Sequence, residues 1–267
     1  RRYIMKILVI GDSCKDKFIY GKCERICPEA PVPVFNPVEE IISGGMSKNV
    51  FSNLKKLSPD WDIDLITNEN NISKTRLVDV KTNQMLVRVD ENDSCPRITN
   101  IKNLDNYDAV IISDYNKGFL YREDIKFLLD KYPLTFIDSK KIFGSYIENA
   151  SFIKINQTEY EKNINNLVDY KGQLIVTLGE KGVMWGGITH PPSRQAEVSD
   201  LSGAGDTFLA AFVHSYLESK NISNSIQFAQ DCSLKVVEKK HKKYQNEAQE
   251  LDLLRKRSAQ ILADRRK

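Results

Sequence analysis

Short apolar runs alternate along this chain with stretches of helical periodicity. Residues 46–57 and 123–131 place apolar side chains three and four positions apart, as amphipathic helices do. Strands that alternate with helices form parallel β-α-β units, so the pattern predicts an α/β fold with a mostly parallel central sheet and helices on both faces. Such sheets bind ligands at the carboxyl ends of their strands. The predicted buried strands are residues 6–10, 109–113, 134–137, 152–155 and 174–178.

A second pattern interrupts this rhythm in two stretches, within about residues 16–42 and 76–90. Four strand-like runs without intervening helices occur there, and residues 81–84 suit a hairpin turn. We expect a small β-sheet inserted into the α/β body, where it would act as a lid that excludes water from a site. The pattern alone also allows these runs to be edge strands of the main sheet. The four runs are residues 18–20, 32–35, 76–80 and 85–89.

The end of the chain differs from the rest in charge. Residues 1–234 hold 28 Lys+Arg and 31 Asp+Glu, whereas residues 235–267 hold 11 and 5. We therefore predict one domain over residues 1–240 and a basic, helical tail over residues 241–267. The tail is either a solvated helix or a contact surface for a partner or an anionic surface.

Composition excludes several classes of protein. The chain has 267 residues, a net charge of +3 and five scattered cysteines, which argues against a disulfide framework or a zinc site. No apolar run approaches the roughly 20 residues that span a bilayer, and the run at residues 7–10 is short for a signal peptide. These features predict a cytoplasmic protein without a membrane partner. The mildly acidic body gives no electrostatic reason to expect nucleic acid.

One glycine-rich segment suggests chemistry. Residues 200–207 read Asp-Leu-Ser-Gly-Ala-Gly-Asp-Thr and precede an apolar helical stretch, so a helix is expected to begin near Asp206. The unpaired N–H groups and the dipole at such a helix start suit a phosphate, and a neighbouring carboxylate can take a proton from an attacking hydroxyl. An aspartate that only caps a helix after a tight glycine turn is the structural alternative. The P-loop and dinucleotide glycine signatures are missing from the sequence.

At this point the sequence resembles the ribokinase-like (PfkB-type) sugar kinases. Residues 200–206 are similar to their C-terminal signature, Asp-Thr-x-Gly-Ala-Gly-Asp, and residues 43–49 are similar to their N-terminal Gly-Gly signature. Gly11-Asp12, Asn156-x-x-Glu159 and Thr177-Leu178-Gly179 follow the order of that family. The resemblance implies a three-layer sandwich with a small β-sheet lid, and phosphorylation of a sugar with ATP and Mg²⁺.

Three further segments resemble the heptose-7-phosphate kinases, which form one half of bifunctional ADP-heptose synthases. They are residues 25–34, 86–90 and 113–118. This likeness implies D-glycero-D-manno-heptose 7-phosphate as the substrate, phosphorylated at C1 for a lipopolysaccharide precursor, and a homodimer formed through the lid. The sequence departs from that family between Leu57 and Lys74, which is short, and after Val237, where a charged tail replaces a glycine-containing loop. A kinase of another sugar or nucleoside, or a non-catalytic relative that binds sugar or nucleotide, therefore stays open.

The resemblance also implies roles for individual residues. Asp206 would be the base, and the N–H groups of Gly203, Ala204 and Gly205 would stabilise the transferred phosphoryl group. Asn156 and Glu159 would hold Mg²⁺ through water, although a capping box at a helix start would use the same pair. The sugar would be bound by Asp12, Gly44, Gly45 and Asn49, and its phosphate by Arg88 and Lys117. The nucleotide would lie against Thr177, Gly179, Gly182 and Ser202, and the segment Asp138-Ser139-Lys140 is left without a role.

Overall fold

A computed structural model describes residues 4–69, 72–82, 84–104, 106–194 and 202–239. The predicted tail at 241–267 lies outside these residues, as do Asp200 and Leu201. Eight strands of the described residues form the main sheet, in the order β12-β11-β10-β9-β8-β7-β1-β4. They are β1 (Lys6–Gly11), β4 (Asp62–Thr67), β7 (Ala109–Asp114), β8 (Thr135–Ser139), β9 (Phe152–Asn156), β10 (Gln173–Thr177), β11 (Val183–Trp185) and β12 (Ile188–His190).

Pairing in the main sheet is parallel from β4 through β1, β7, β8 and β9 to β10. In the described part of this sheet, antiparallel pairing occurs only between β10 and β11 and between β11 and β12, at one side of the sheet. The prediction of a mostly parallel sheet is therefore confirmed. The carboxyl ends of these parallel strands meet at one edge of the sheet, where a ligand site is expected.

Side chains that alternate along each strand build two separate cores. In β1, Ile7 and Val9 join the core that contains α1 (Ser47–Leu57), α4 (Ala204–Ser219) and α5 (Ile222–Lys239). Leu8 and Ile10 point to the other face and join the core that contains α2 (Arg122–Lys131). A strand buried on both faces is typical of a sheet covered by helices on both sides. This arrangement is the predicted three-layer sandwich, and α3 (Gln157–Asn163) follows β9. Among the described residues, no helix has the length and apolar character needed to cross a membrane.

A separate small sheet has the strand order β3-β2-β5-β6, so its strands are not edge strands of the main sheet. Its outer strands pair antiparallel with their neighbours, whereas the two central strands pair parallel. One face is buried, including Phe18, Arg76 and Val78. The strands are β2 (Ser13–Lys22), β3 (Asn36–Met46), β5 (Ser73–Asp79) and β6 (Met85–Glu91).

The predicted strand at 32–35 is wrong. That segment forms only one isolated bridge, between Ile26 and Pro33, and the long strand β3 begins after it. Prolines at 31 and 33 have no N–H group to donate to a ladder, which explains why the strand starts later. Gly44 and Gly45 lie within β3.

The pattern also missed strand β4, which pairs with β1 along its whole length. Its sequence, Asp-Ile-Asp-Leu-Ile-Thr, carries two aspartates. Because aspartate is disfavoured in strands, the pattern did not predict this one. Asp64 accepts a hydrogen bond from the Tyr107 hydroxyl at 2.9 Å, which stabilises one of these carboxylates at the sheet edge.

Candidate active site

The glycine-rich segment forms the start of α4, as predicted. Gly203 adopts the left-handed region at φ 80°, which a residue with a side chain rarely adopts, and the helix begins at Ala204. The first intrahelical hydrogen bond runs from Thr207 N to Gly203 O at 3.0 Å. The N–H groups of Ala204 and Gly205 therefore have no acceptor within the helix and can bind an anion.

Asp206 lies in the first turn of α4 and is only 5% exposed. Its carboxylate accepts hydrogen bonds from two side chains, Asn49 Nδ2 at 2.9 Å and the Tyr115 hydroxyl at 2.5 Å. Burial raises the pKa of Asp206 to about 6, although these two hydrogen bonds oppose the increase. The carboxyl group is therefore mostly ionised at neutral pH and able to accept a proton.

Asn49 is positioned by α1, which packs against α4. Asn53, one turn later, donates to Asn49 Oδ1 at 3.3 Å and to Thr207 Oγ1 at 3.1 Å. A Cβ atom at Gly203 would come within 3.1 Å of Asn49 Nδ2, so the glycine loop and the amide lie side by side. Asn49 and Asp206, which are 157 positions apart in the sequence, thus form one polar contact.

Gly45 is needed where β3 approaches β2. A Cβ atom at this position would lie 2.6 Å from both Asp16 Oδ2 and Cys14 Sγ. Asp16 in turn accepts from Arg76 Nη1 at 2.8 Å on the buried side of the small sheet. Gly45 therefore lets two strands meet closely just before α1 begins at Ser47, whereas a Cβ atom at Gly44 would lie 2.8 Å from Lys48 Cβ. A direct contact of Gly44 or Gly45 with a sugar stays a prediction.

Asp12 follows strand β1 and is fully buried. Its carboxylate accepts from three backbone N–H groups, those of Tyr115 at 2.7 Å, Lys117 at 3.2 Å and Phe119 at 3.2 Å. Burial and the nearby Asp114 raise its pKa, and the three backbone hydrogen bonds oppose this. The residue thus fixes the loop that follows β7, and its predicted contact with a sugar hydroxyl stays a prediction.

A cluster of charged residues lies at the ends of β8 and β9. Lys154 and Asp138 form a buried ion pair at 2.5 Å. Lys140 pairs with Glu159 and lies 3.9 Å from Asp138. Burial opposes the charged form of Lys140, but Asp138 and Glu159 outweigh it and raise the pKa. Among the described residues, Asp138 Oδ1 has no hydrogen-bond donor.

Asn156 and Glu159 form the capping box that the sequence allowed. Asn156 Oδ1 accepts from Glu159 N at 2.9 Å, and Glu159 Oε2 accepts from Asn156 N at 2.9 Å, at the start of α3. Within the described ranges, no group of three or more His, Cys, Asp or Glu side chains is placed to hold a metal ion. The carboxylate and amide oxygens here are ligand types that suit Mg²⁺, with water completing the shell.

The predicted nucleotide residues lie around the end of β10. Thr177 is its last residue, and Gly179 follows at φ 62° with open space where a Cβ atom would be. Gly182 has φ 96°, and a Cβ atom there would lie 2.1 Å from the His190 carbonyl oxygen, so only glycine fits. Ser202 lies two residues before α4, and its contact with a nucleotide stays a prediction.

The two cations predicted to bind a sugar phosphate already have acidic partners. Arg88 on β6 pairs with Asp90 at 2.9 Å, and its side chain is 49% exposed. Lys117 pairs with Asp93 at 2.5 Å. Lys74, which no sequence motif singled out, has its Nζ 5.8 Å from the centroid of the Tyr115 ring, whose hydroxyl contacts Asp206.

Three functional candidates were missed from sequence: Tyr115, Lys74 and Lys154. Lys154 had a visible signal, since it is a lysine within the otherwise apolar strand Phe-Ile-Lys-Ile-Asn. Tyr115 lies inside the motif at 113–118, but nothing in the sequence joins it to Asp206, 91 positions away. Contacts between strand ends depend on the register of the sheet, which sequence spacing does not provide.

Comparison with known proteins identifies relatives of this chain by sequence. Residues 65–249 match the family model described as pfkB family carbohydrate kinase. The bifunctional protein HldE of Helicobacter acinonychis (strain Sheeba) is 32% identical over 88% of this chain, and that of Helicobacter pylori (strain J99) is 33% identical over the same share. The chain spans 63% of the length of each relative.

Solved structures show the same fold at low identity. Ribokinase from Thermotoga maritima superimposes with a TM-score of 0.66 at 14% identity, covering 95% of this chain and 100% of that one. Ribokinase from Arabidopsis thaliana, complexed with ribose and ATP, gives 0.59 at 13% identity over 88% of this chain and 93% of that one. The fold is therefore ribokinase-like, and the chain belongs to the pfkB family of carbohydrate kinases.

Proposed function

We propose that this chain transfers a phosphoryl group from ATP to a sugar hydroxyl, with Asp206 as the base. The observation that carries the proposal is the buried Asp206 carboxylate in the first turn of α4, next to N–H groups without helix acceptors. A general base is most effective when its pKa is near the working pH, and the value of about 6 meets this condition.

Different residues would carry out the separate parts of phosphoryl transfer. The sugar hydroxyl loses its proton to a carboxylate oxygen of Asp206, its oxygen bonds to the γ-phosphorus, and the bond to the oxygen of departing ADP breaks. Backbone N–H groups of Gly203, Ala204 and Gly205 would stabilise negative charge on the phosphoryl oxygens. Lys154 would add a positive charge, since its Nζ is 3.1 Å from the position of a Cβ atom at Gly205.

Asn156 and Glu159 would hold Mg²⁺ through water, and Thr177, Gly179, Gly182 and Ser202 would line the nucleotide site. When bound, Mg²⁺ neutralises charge on the nucleotide phosphates. The capping box orients the Glu159 carboxylate before any ligand arrives, and the ion pair with Lys140 restrains it further.

We assign the substrate as D-glycero-D-manno-heptose 7-phosphate, phosphorylated at C1 in the cytoplasm for a lipopolysaccharide precursor. The support is the likeness of residues 25–34, 86–90 and 113–118 to heptose-7-phosphate kinases, together with the relatives named bifunctional protein HldE. A sugar phosphate needs a cation, and Lys74 is the first candidate, ahead of the paired Arg88 and Lys117.

ADP release with Mg-ATP tests this function. Heptose 7-phosphate is compared with fructose, ribose and adenosine, for the wild type, Asp206→Asn and the distant control Asp64→Asn. We expect turnover on the heptose phosphate for the wild type and Asp64→Asn only. Turnover on another acceptor would keep the mechanism and reject the substrate. The absence of turnover on every acceptor, with no rise in melting temperature on adding ATP, would favour a non-catalytic relative.

We also propose that two copies pair through the small sheet. Its outer face carries Ile42, Val87 and Val89, which are 50%, 50% and 44% exposed. Such an apolar face is typical of an interaction surface. Light scattering should give the mass of a dimer for the wild type and of a monomer for Val87→Glu. The control Val168→Glu changes a valine that is 74% exposed outside this sheet and should stay dimeric.

A further inference from the structure

Tyr115 joins the two buried carboxylates of the site. Its backbone N–H donates to Asp12 at 2.7 Å, and its hydroxyl donates to Asp206 at 2.5 Å. The N–H groups of Lys117 and Phe119 also donate to Asp12, so the backbone on both sides of Asn116 is anchored. If the Tyr115 backbone moved away from Asp206, it would break hydrogen bonds to the fully buried carboxylate of Asp12.

The ring of Tyr115 is held as well as its backbone. Lys74 Nζ, from the small sheet, lies 5.8 Å from the ring centroid, and Lys140 Nζ, from the loop after β8, lies 5.3 Å from it. Cations at these distances are attracted by the ring. Two elements from different sheets thus restrain the side chain that contacts the proposed base.

We propose that Tyr115 is a positioning residue whose hydroxyl holds the Asp206 carboxylate in one orientation and keeps it ionised for proton transfer. The proposal rests on the function proposed above for Asp206. A carboxylate has about four acceptor sites, and Tyr115 and Asn49 each occupy one, on different oxygens. The remaining sites stay available to a substrate hydroxyl, in an orientation that the two donors fix.

The hydroxyl of Tyr115 stays a donor throughout. Burial, followed by the charge of Asp206 and that of Asp138, raises the pKa of this phenol well above 10. Tyr115 therefore keeps its proton at neutral pH. It stabilises the ionised base by donating a hydrogen bond, and it does not exchange the proton that leaves the sugar.

Other charged groups also face Asp206. A variant that tests the role of Tyr115 must therefore leave these groups unchanged. Asp138 on β8 opposes its ionisation, whereas Lys154 on β9 favours it. Cys14 on β2 and Lys140 after β8 also interact with it, and Asn49 contributes a neutral donor from α1. Tyr115→Phe removes only one O–H donor and keeps the ring between its two lysines. A change in the protonation of Asp206 would therefore come from the lost hydrogen bond.

The first measurement is an NMR titration of full-length protein with ¹³C-labelled aspartate carboxyls, with the Asp206 signal assigned by its loss in Asp206→Asn. We expect Tyr115→Phe to raise the proton affinity of Asp206 about tenfold or more, because a hydrogen bond to a charged group is lost. The matched control is Tyr107→Phe, which removes a 2.9 Å hydrogen bond to Asp64 far from the site. It should leave the Asp206 titration unchanged. An unchanged Asp206 titration in Tyr115→Phe would overturn the proposal.

The second measurement is the pH profile of kcat for the same variants. In Tyr115→Phe we expect turnover to fall about fivefold or more near pH 6 and to recover above pH 8, with KM for the sugar unchanged. A uniform loss at every pH would show that Tyr115 only supports the structure and would overturn the positioning role. A shifted NMR titration with no wild-type turnover on any acceptor would instead reject the proposed function and retain the contact between Tyr115 and Asp206.

Discussion

Asp12 and Asp206 are both buried carboxylates at the same edge of the main sheet, but their partners differ. Asp12 accepts from three backbone N–H groups, whereas Asp206 accepts from the side chains of Asn49 and Tyr115. Backbone donors fix a loop and cannot leave without unfolding it. The two side-chain donors leave acceptor sites of the Asp206 carboxylate open, and each can be replaced by mutation without changing the backbone. The comparison shows that Asp12 fixes the backbone of the site, and it supports our proposal that Asp206 is the residue that reacts.

The largest expected effect on stability comes from removing the anchor. Asp12→Ala leaves three buried N–H groups without an acceptor, and we expect it to lower the free energy of unfolding by about 3 kcal/mol or more. Urea denaturation of the variant and the wild type measures this. A loss below about 1 kcal/mol would contradict the structural role of Asp12 and would favour a direct role in sugar binding.

Removal of the Asp206 charge should instead increase the stability of the protein as pH rises. The folded pKa of Asp206, about 6, lies above the value of an unfolded aspartate, so its contribution to stability is fully present below about pH 3.9 and is lost as pH rises through 6. Asp206→Asn cannot ionise and avoids this loss. Relative to the wild type, it should therefore gain roughly 1–3 kcal/mol between pH 4 and pH 8.

Denaturation of the variant and the wild type at both pH values tests this gain. If Asp206→Asn were less stable at pH 8 than at pH 4, relative to the wild type, the ionised carboxylate would be a stabilising group. That result would remove the contrast between the two aspartates.

The smallest effect concerns Asn156 and Glu159, where the structural and the proposed chemical roles coincide. Asn156→Ala removes a helix cap and should cost about 1 kcal/mol of stability. Glu159→Gln keeps a capping side chain and removes only the charge, so its stability should change less. Its turnover should instead need a higher Mg²⁺ concentration. An unchanged Mg²⁺ requirement in Glu159→Gln would leave the pair with its capping role alone.

The sequence predicts much of this architecture because its strongest signals are local. Apolar runs buried on both faces identify β1, β7, β8, β9 and β10, and the glycine signature identifies the start of α4. The errors also have local causes. Prolines interrupt the run at 32–35, and aspartates conceal β4.

The contacts that define the candidate site are not local and could not be predicted in the same way. Asp12 binds backbone N–H groups, which have no signature in a sequence. The contact between Tyr115 and Asp206 and the ion pair between Lys154 and Asp138 depend on how neighbouring strands align. Sequence motifs therefore indicate which residues carry chemistry, and the sheet register determines which of them meet.

The role of Asp206 is tested most directly by the rate of ADP release with heptose 7-phosphate as a function of pH, for the wild type and Asp206→Asn. We expect wild-type turnover to rise with pH through a midpoint near 6, since the base must lose its proton before it can act. Asp206→Asn should stay folded and lose about a thousandfold or more in kcat at every pH. Turnover near the wild-type rate in Asp206→Asn would show that this carboxylate is not the base.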